Sequence, residues 1–105
     1  MLICQWHLDI VYGKQAEAVR IMRAWGADKF ASSEFRRAGG ARLLAGYIGA
    51  SASHLVDEYT VTSLADFEAA LASMSAPQFR RHSEALAPYI VPGSQQWVVY
   101  RVLDE

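Results

Sequence analysis

Gln5, His7 and Asp9 stand two residues apart in the stretch Leu2 to Val11. Successive side chains alternate across a strand, so these three share one face. Histidine moves protons near neutral pH, and a neighbouring carboxylate orients it. His7 is therefore the candidate catalytic residue of this stretch, with Gln5 and Asp9 as its binding neighbours; the competing reading is a hydrogen-bonded histidine at an interface. A second group lies in His54 to Val61. There Leu55, Asp57, Tyr59 and Val61 form one face, and His54, Val56, Glu58 and Thr60 form the other. Whichever face is covered, a carboxylate goes with it. A buried unpaired charge is costly, so that carboxylate is paired, protonated or functional. His54 opens the strand, where solvent reaches it.

Other chemistries lack their signatures. His7, His54 and His82 do not stand at metal-ligand spacing, and no Cys-x-x-Cys or His-x-x-x-His occurs, so no metal is expected. Gly39-Gly40, Gly46 and Gly49 do not compose a phosphate loop, and no nucleophile elbow is present. His82 follows Arg80-Arg81 on a short helix, where a surface position competes with a place at the pocket rim. Trp25, Tyr47 and Trp97 read first as core or interface aromatics and second as a wall for a ligand.

The totals set the frame. One domain of 105 residues supports a single core. At 52% hydrophobic and 20% charged it reads as an ordinary globular chain, and a net charge of -1 gives no reason to expect nucleic acid or a membrane surface. Cys4 is the only cysteine, so no internal disulfide forms and a reducing, cytoplasmic setting is expected. No stretch approaches the ~20 apolar residues of a membrane span, and His7 and Asp9 break the apolar run a signal peptide needs.

The elements that must position these groups follow from periodicity. Leu2, Cys4, Trp6, Leu8 and Ile10 give the first strand a dry face. A long helix is expected from Gln15 to about Ala38, with Ala18, Val19, Ile21, Met22, Trp25, Gly26 and Phe30 in a wide apolar arc. Gly39-Gly40 should stop it through positive φ. Strands follow at Ala41 to Ile48 and His54 to Val61, joined by Gly49 to Ser53. Thr62 or Ser63 caps a helix from Leu64 to Met74, using Leu64, Phe67, Leu71 and Met74 as its apolar face. A short helix over Gln78 to Ala87 and a last strand from Gln95 to Leu103 complete the order. That order is an α+β, ferredoxin-like βαββαβ arrangement with a short extra helix, its four-stranded antiparallel sheet covered by helices on one face. The bare face would expose Ile3, Val11 and one of the sets Trp97/Val99 or Val98/Tyr100/Val102. Such patches mark interfaces, and a second copy of the same face is the simplest cover, giving a homodimer.

In this order the chain resembles the dimeric α+β barrel superfamily, which includes antibiotic-biosynthesis monooxygenases and NIPSNAP-type proteins. Its most telling stretch is Glu58-Tyr59-Thr60-Val61-Thr62-Ser63-Leu64-Ala65-Asp66-Phe67, supported by Ser75-Ala76-Pro77-Gln78-Phe79 and Pro92-Gly93-Ser94. The resemblance implies a dimer with a pocket between sheet and helices in each subunit. It favours Asp57 and Tyr59 in that pocket, with Trp25, His82 and Trp97 as further lining. It implies a hydrophobic small molecule and cofactor-free oxygenase, isomerase or cyclase chemistry, with His7 and Asp57 moving protons; a non-catalytic binding module is the alternative. In quinone-forming monooxygenases of this kind a tryptophan closes the third strand, whereas this chain has Val61. A haem-degrading role would ask for an axial histidine, for which His82 is the helix-borne candidate. If the chain is an enzyme, His7 and a carboxylate of the third strand converge on a cavity; if it is a module, aromatic side chains fill that space.

Overall fold

The computed structural model describes residues 1–104. Strands β1 (Leu2–Asp9), β2 (Gly40–Ala45), β3 (His54–Val61) and β4 (Gln96–Arg101) form one antiparallel sheet in the order β2-β3-β1-β4. Helices α1 (Gln15–Ser32), α2 (Leu64–Ser73) and α3 (Arg80–Leu86) connect them, α3 flanked by 3-10 turns. This is the ferredoxin-like arrangement expected from the sequence.

The register fixes which side chains share a face. Leu8 pairs with Leu55, Trp6 with Asp57 and Cys4 with Tyr59, so this set lies under the helices. Cys4, Leu8 and Leu55 are fully buried there. His7 pairs with Val56, Gln5 with Glu58 and Asp9 with His54, which puts those groups on the bare side. On β4, Trp97 pairs with Trp6 and Val99 with Cys4, whereas Val98 pairs with Gln5 and Tyr100 with Ile3. Val98 and Tyr100 therefore belong to the bare face and Trp97 to the covered one.

α1 is shorter than its periodicity suggests. It ends at Ser32, and residues Glu34–Arg37 form a 3-10 turn. Ser33 causes the break: its hydroxyl donates to the Lys29 carbonyl at 2.6 Å and accepts from the Phe35 N–H at 3.1 Å. Short hydroxyl side chains compete in this way with the helical ladder. The turn carries Phe35 into the core, where it is 1% exposed. Gly39 and Gly40 do not use positive φ; the chain enters β2 extended, with the Gly39 N–H donating to Thr60 O at 2.7 Å. β2 stops at Ala45, so Tyr47 and Ile48 lie in the exposed hairpin loop rather than in a strand. On α2 the capping residue is Ser63, and the buried side is Phe67 and Ala70, with Leu64 left exposed at the first position.

Gly46 holds that hairpin closed by having no side chain. A Cβ there would overlap the carbonyl of Ser51. Gly46→Ala is expected to lower stability by about 1–3 kcal/mol, the usual cost of forcing backbone apart. A chemical denaturation midpoint within error of the parent protein would rule this out.

Candidate functional site

Beneath the helices, one charged group sits where the periodicity of α1 calls for an apolar residue. Lys29 follows Ala18, Met22 and Trp25 at positions i+11, i+7 and i+4, the stripe that faces the sheet. It is only 3% exposed. Its ammonium donates to Asp57 Oδ2 at 3.1 Å and to the Tyr59 hydroxyl at 2.9 Å, and Tyr59 in turn donates to the same Asp57 oxygen at 2.6 Å. Nζ lies 4.5 Å from the centre of the Trp25 ring and 5.2 Å from that of Phe35, so aromatic faces surround the cation. Burial pulls the Lys29 ammonium below the ordinary lysine range, and the Asp57 carboxylate opposes that pull. Burial, then the adjacent Asp57 charge, pushes the Tyr59 phenol far above its usual range, so Tyr59 remains a donor.

Asp57 and Tyr59 also line a cavity of about 210 Å³ between α1 and the β2–β3 edge. Its other walls include Met22, Gly26, Phe30 and Leu43. The Asp57 side chain is 16% exposed. With Oδ2 taken by Lys29 and Tyr59, Oδ1 is the oxygen left for a bound molecule.

His7 does not share this site. The expected pairing of His7 with Asp57 is corrected by the register: Trp6, not His7, stands beside Asp57, and the alternation of the strand puts the two candidates on opposite faces of the sheet. On the bare face His7 joins a continuous chain of side chains. Its Nε2 meets Gln5 Oε1 at 2.9 Å, and its Nδ1 meets His54 Nε2 at 2.8 Å. Gln5 donates to Glu58 Oε1 at 2.8 Å, Arg42 donates to Glu58 Oε2, and His54 Nδ1 meets Asp9 Oδ1 at 2.7 Å. Arg42 holds the Glu58 carboxyl below its usual range. Desolvation, with the adjacent His54, lowers His7. His54 is thus a member of the network, not a solvated strand end.

The remaining candidates separate. His82 is buried, with Nε2 against Asp28 Oδ2 and its ring stacked on Trp25 at 6.1 Å. It ties α3 to α1 together with the Arg81–Asp28 ion pair, instead of offering that nitrogen to a ligand. Trp97 packs against Trp6, Tyr59 and Phe67 within the core. Lys29 and Arg42 were not picked out from the sequence, and Glu58 was weighed there only as the alternative to Asp57. For Lys29 a signal existed, because a lysine in the middle of a buried stripe has to be paired.

Among the described residues, no group of three or more His, Cys, Asp or Glu side chains is placed to hold a metal ion, and no helix is long and apolar enough to cross a membrane. No protein-family profile matches the chain, and no curated protein is significantly similar to it in sequence. Solved structures are. A NIPSNAP family protein from Agrobacterium tumefaciens superposes with a TM-score of 0.77 at 17% identity, over 98% of this chain and 93% of its own. A NIPSNAP domain protein from Burkholderia xenovorans gives 0.74 at 19% identity, over 99% and 96%. SnoaB, a cofactor-independent oxygenase from Streptomyces nogalater, gives 0.67 at 20% identity, over 99% and 98%. The fold is that of the antibiotic-biosynthesis monooxygenase and NIPSNAP proteins.

Proposed function

We propose that the chain binds a small hydrophobic molecule in the cavity beside Asp57 and carries out proton transfer there without a cofactor. The observation that carries this reading is a carboxylate, already oriented by Lys29 and Tyr59, on a wall where Met22, Phe30 and Leu43 stand beside Arg23 and Arg42. In the step, a C–H or O–H bond of the ligand breaks, its proton goes to Asp57 Oδ1, and the electron pair stays on the ligand as an enolate or phenolate. Lys29 and Tyr59 hold the other oxygen, Oδ2, and so fix the direction of Oδ1. Isomerisation, cyclisation or reaction of the carbanion with dissolved dioxygen all begin with this step, and the likeness to a cofactor-independent oxygenase supports the last of these. At about 210 Å³ the cavity is below the ~300–1,000 Å³ of drug-sized sites, so a one- or two-ring molecule suits it.

The bare face supports the second part of the proposal, a homodimer. Ile3, Val98 and Tyr100 flank the polar chain there, and Tyr100 is 54% exposed. Asp9 and Glu58 alternate with Arg42 and the histidines, so a two-fold copy can set opposite charges against each other.

Asp57→Asn tests the chemistry. Ring-hydroxylated aromatic ketones are to be titrated against the protein's tryptophan fluorescence, and deuterium uptake at the acidic carbon followed by NMR. The expected result is binding within about fivefold of the parent and exchange slower by about 10²–10⁴-fold. Equal exchange in the two proteins would remove Asp57 from the reaction. A non-catalytic binding module is the second reading. It is favoured by the aromatic packing of Trp6, Trp25, Phe35, Tyr59, Phe67 and Trp97 under the sheet, and binding without any exchange in the parent protein would select it.

A further inference from the structure

The hydrogen-bonded chain on the bare face fixes the proton positions of its two histidines. Glu58, paired with Arg42, is an acceptor, so Gln5 must turn its amide N–H to Glu58 and its oxygen to His7. His7 Nε2 is therefore protonated. Asp9 is likewise an acceptor, so His54 Nδ1 carries a proton. Both outer nitrogens are now spoken for, and the two inner ones, His7 Nδ1 and His54 Nε2, stand 2.8 Å apart. Two lone pairs at that distance repel, as do two N–H groups. One proton between them satisfies both nitrogens, and the separation is that of a hydrogen bond. A tetrahedral metal bound at about 2.0–2.1 Å to each nitrogen would hold them about 3.4 Å apart, so the geometry favours the proton.

We infer that His7 and His54 act as one titrating unit sharing a single proton, and that this proton governs the pairing of the bare face with a second copy of the chain. The pairing half rests on the homodimer proposed above; the shared proton does not. With it in place the unit bears one positive charge, balanced by Asp9. The other groups facing it are Glu58 and Arg42, themselves paired, Gln96 opposite His7, and Tyr100 two rows away on β4. At higher pH the shared proton leaves, the inner nitrogens repel, and the rings part. At low pH a second inner proton must enter at His7 against desolvation and then against His54's charge, which together hold His7 below the ordinary histidine range. Pairing is thus strongest between the two limits.

The test is a pH titration of the full chain with ring nitrogen-15-labelled histidines, read by long-range nitrogen–proton NMR, alongside sedimentation equilibrium at each pH. Expected is a plateau in which one ring has both nitrogens protonated and the other only Nε2. The dimer dissociation constant should rise about tenfold on either side of that plateau. His54→Gln, at a half-buried strand end, should let His7 titrate as a single uncoupled histidine, still lowered by desolvation, and should flatten the pH dependence of association. Two rings that titrate independently in the parent protein would overturn the shared proton. So would inner nitrogens that move together only when zinc is added and return with a chelator. A shared proton with a pH-independent dissociation constant overturns the gating while leaving the dimer intact. A monomer at every pH overturns the homodimer and the gating with it, and leaves the ring signals to decide the proton.

Discussion

Lys29→Met is expected to destabilise the protein by about 3–5 kcal/mol, the usual cost of removing one partner from a buried ion pair. Methionine fills a similar volume, so a cavity contributes little. What is lost is the donor to Asp57 and Tyr59 and the cation among the aromatic faces. Asp57 is left beside Tyr59 under the helices with no countercharge. The Lys29→Met/Asp57→Leu double variant should recover part of the loss, because it removes the uncompensated charge and leaves only the Tyr59 hydroxyl without its partners. In urea, the single variant's midpoint should fall by ~1–5 M with an unchanged slope, given typical slopes for small domains. A single variant within 1 kcal/mol of the parent would show that the ion pair contributes little. A double variant as unstable as the sum of its parts would show that the two residues act separately. Total stabilities of small domains lie near 5–15 kcal/mol, so the single variant approaches the edge of folding at physiological temperature.

The elements were legible in the sequence because period-2 and period-3.6 patterns register burial directly: β3 runs from His54 to Val61 as its Val, Tyr and Thr content indicates. The end of α1 was not, because Ser33 breaks the helix through two hydrogen bonds that periodicity does not register. For the site, the alternation within each strand correctly grouped His7 with Gln5 and Asp9, and Asp57 with Tyr59. It could not say how the two strands align. A one-residue change of register exchanges faces, and the register here puts His7 and Asp57 on opposite sides. Lys29 was passed over because polar residues on a helix are usually assigned to its solvent side. Its spacing from Met22 and Trp25 was in fact the clearest sign of a buried polar centre.

Trp97→Ala is expected to cost about 3–5 kcal/mol, toward the lower end because the residue is only partly buried. Three separate groups of core side chains each pack against this one ring: Trp6 with Leu8 and Leu55, Cys4 with Val61 and Phe67, and Phe35 with Tyr59. The ring stacks on Trp6 at 6.4 Å and meets Phe67 edge-on at 5.1 Å. β4 is an edge strand that pairs only with β1, so Trp97 is its chief anchor to the helix layer. Its removal should therefore loosen β4 before the rest of the sheet. Amide exchange at Val99 and Arg101 should rise more than at Leu55 or Tyr59. Trp97→Phe, which keeps a ring against Trp6 and Phe67, should lose about half as much. A ligand wall predicts the opposite pattern. If Trp97→Ala left the denaturation midpoint and β4 exchange unchanged but weakened binding of the aromatic ketones tenfold or more, the ring would belong to the pocket and not to the core.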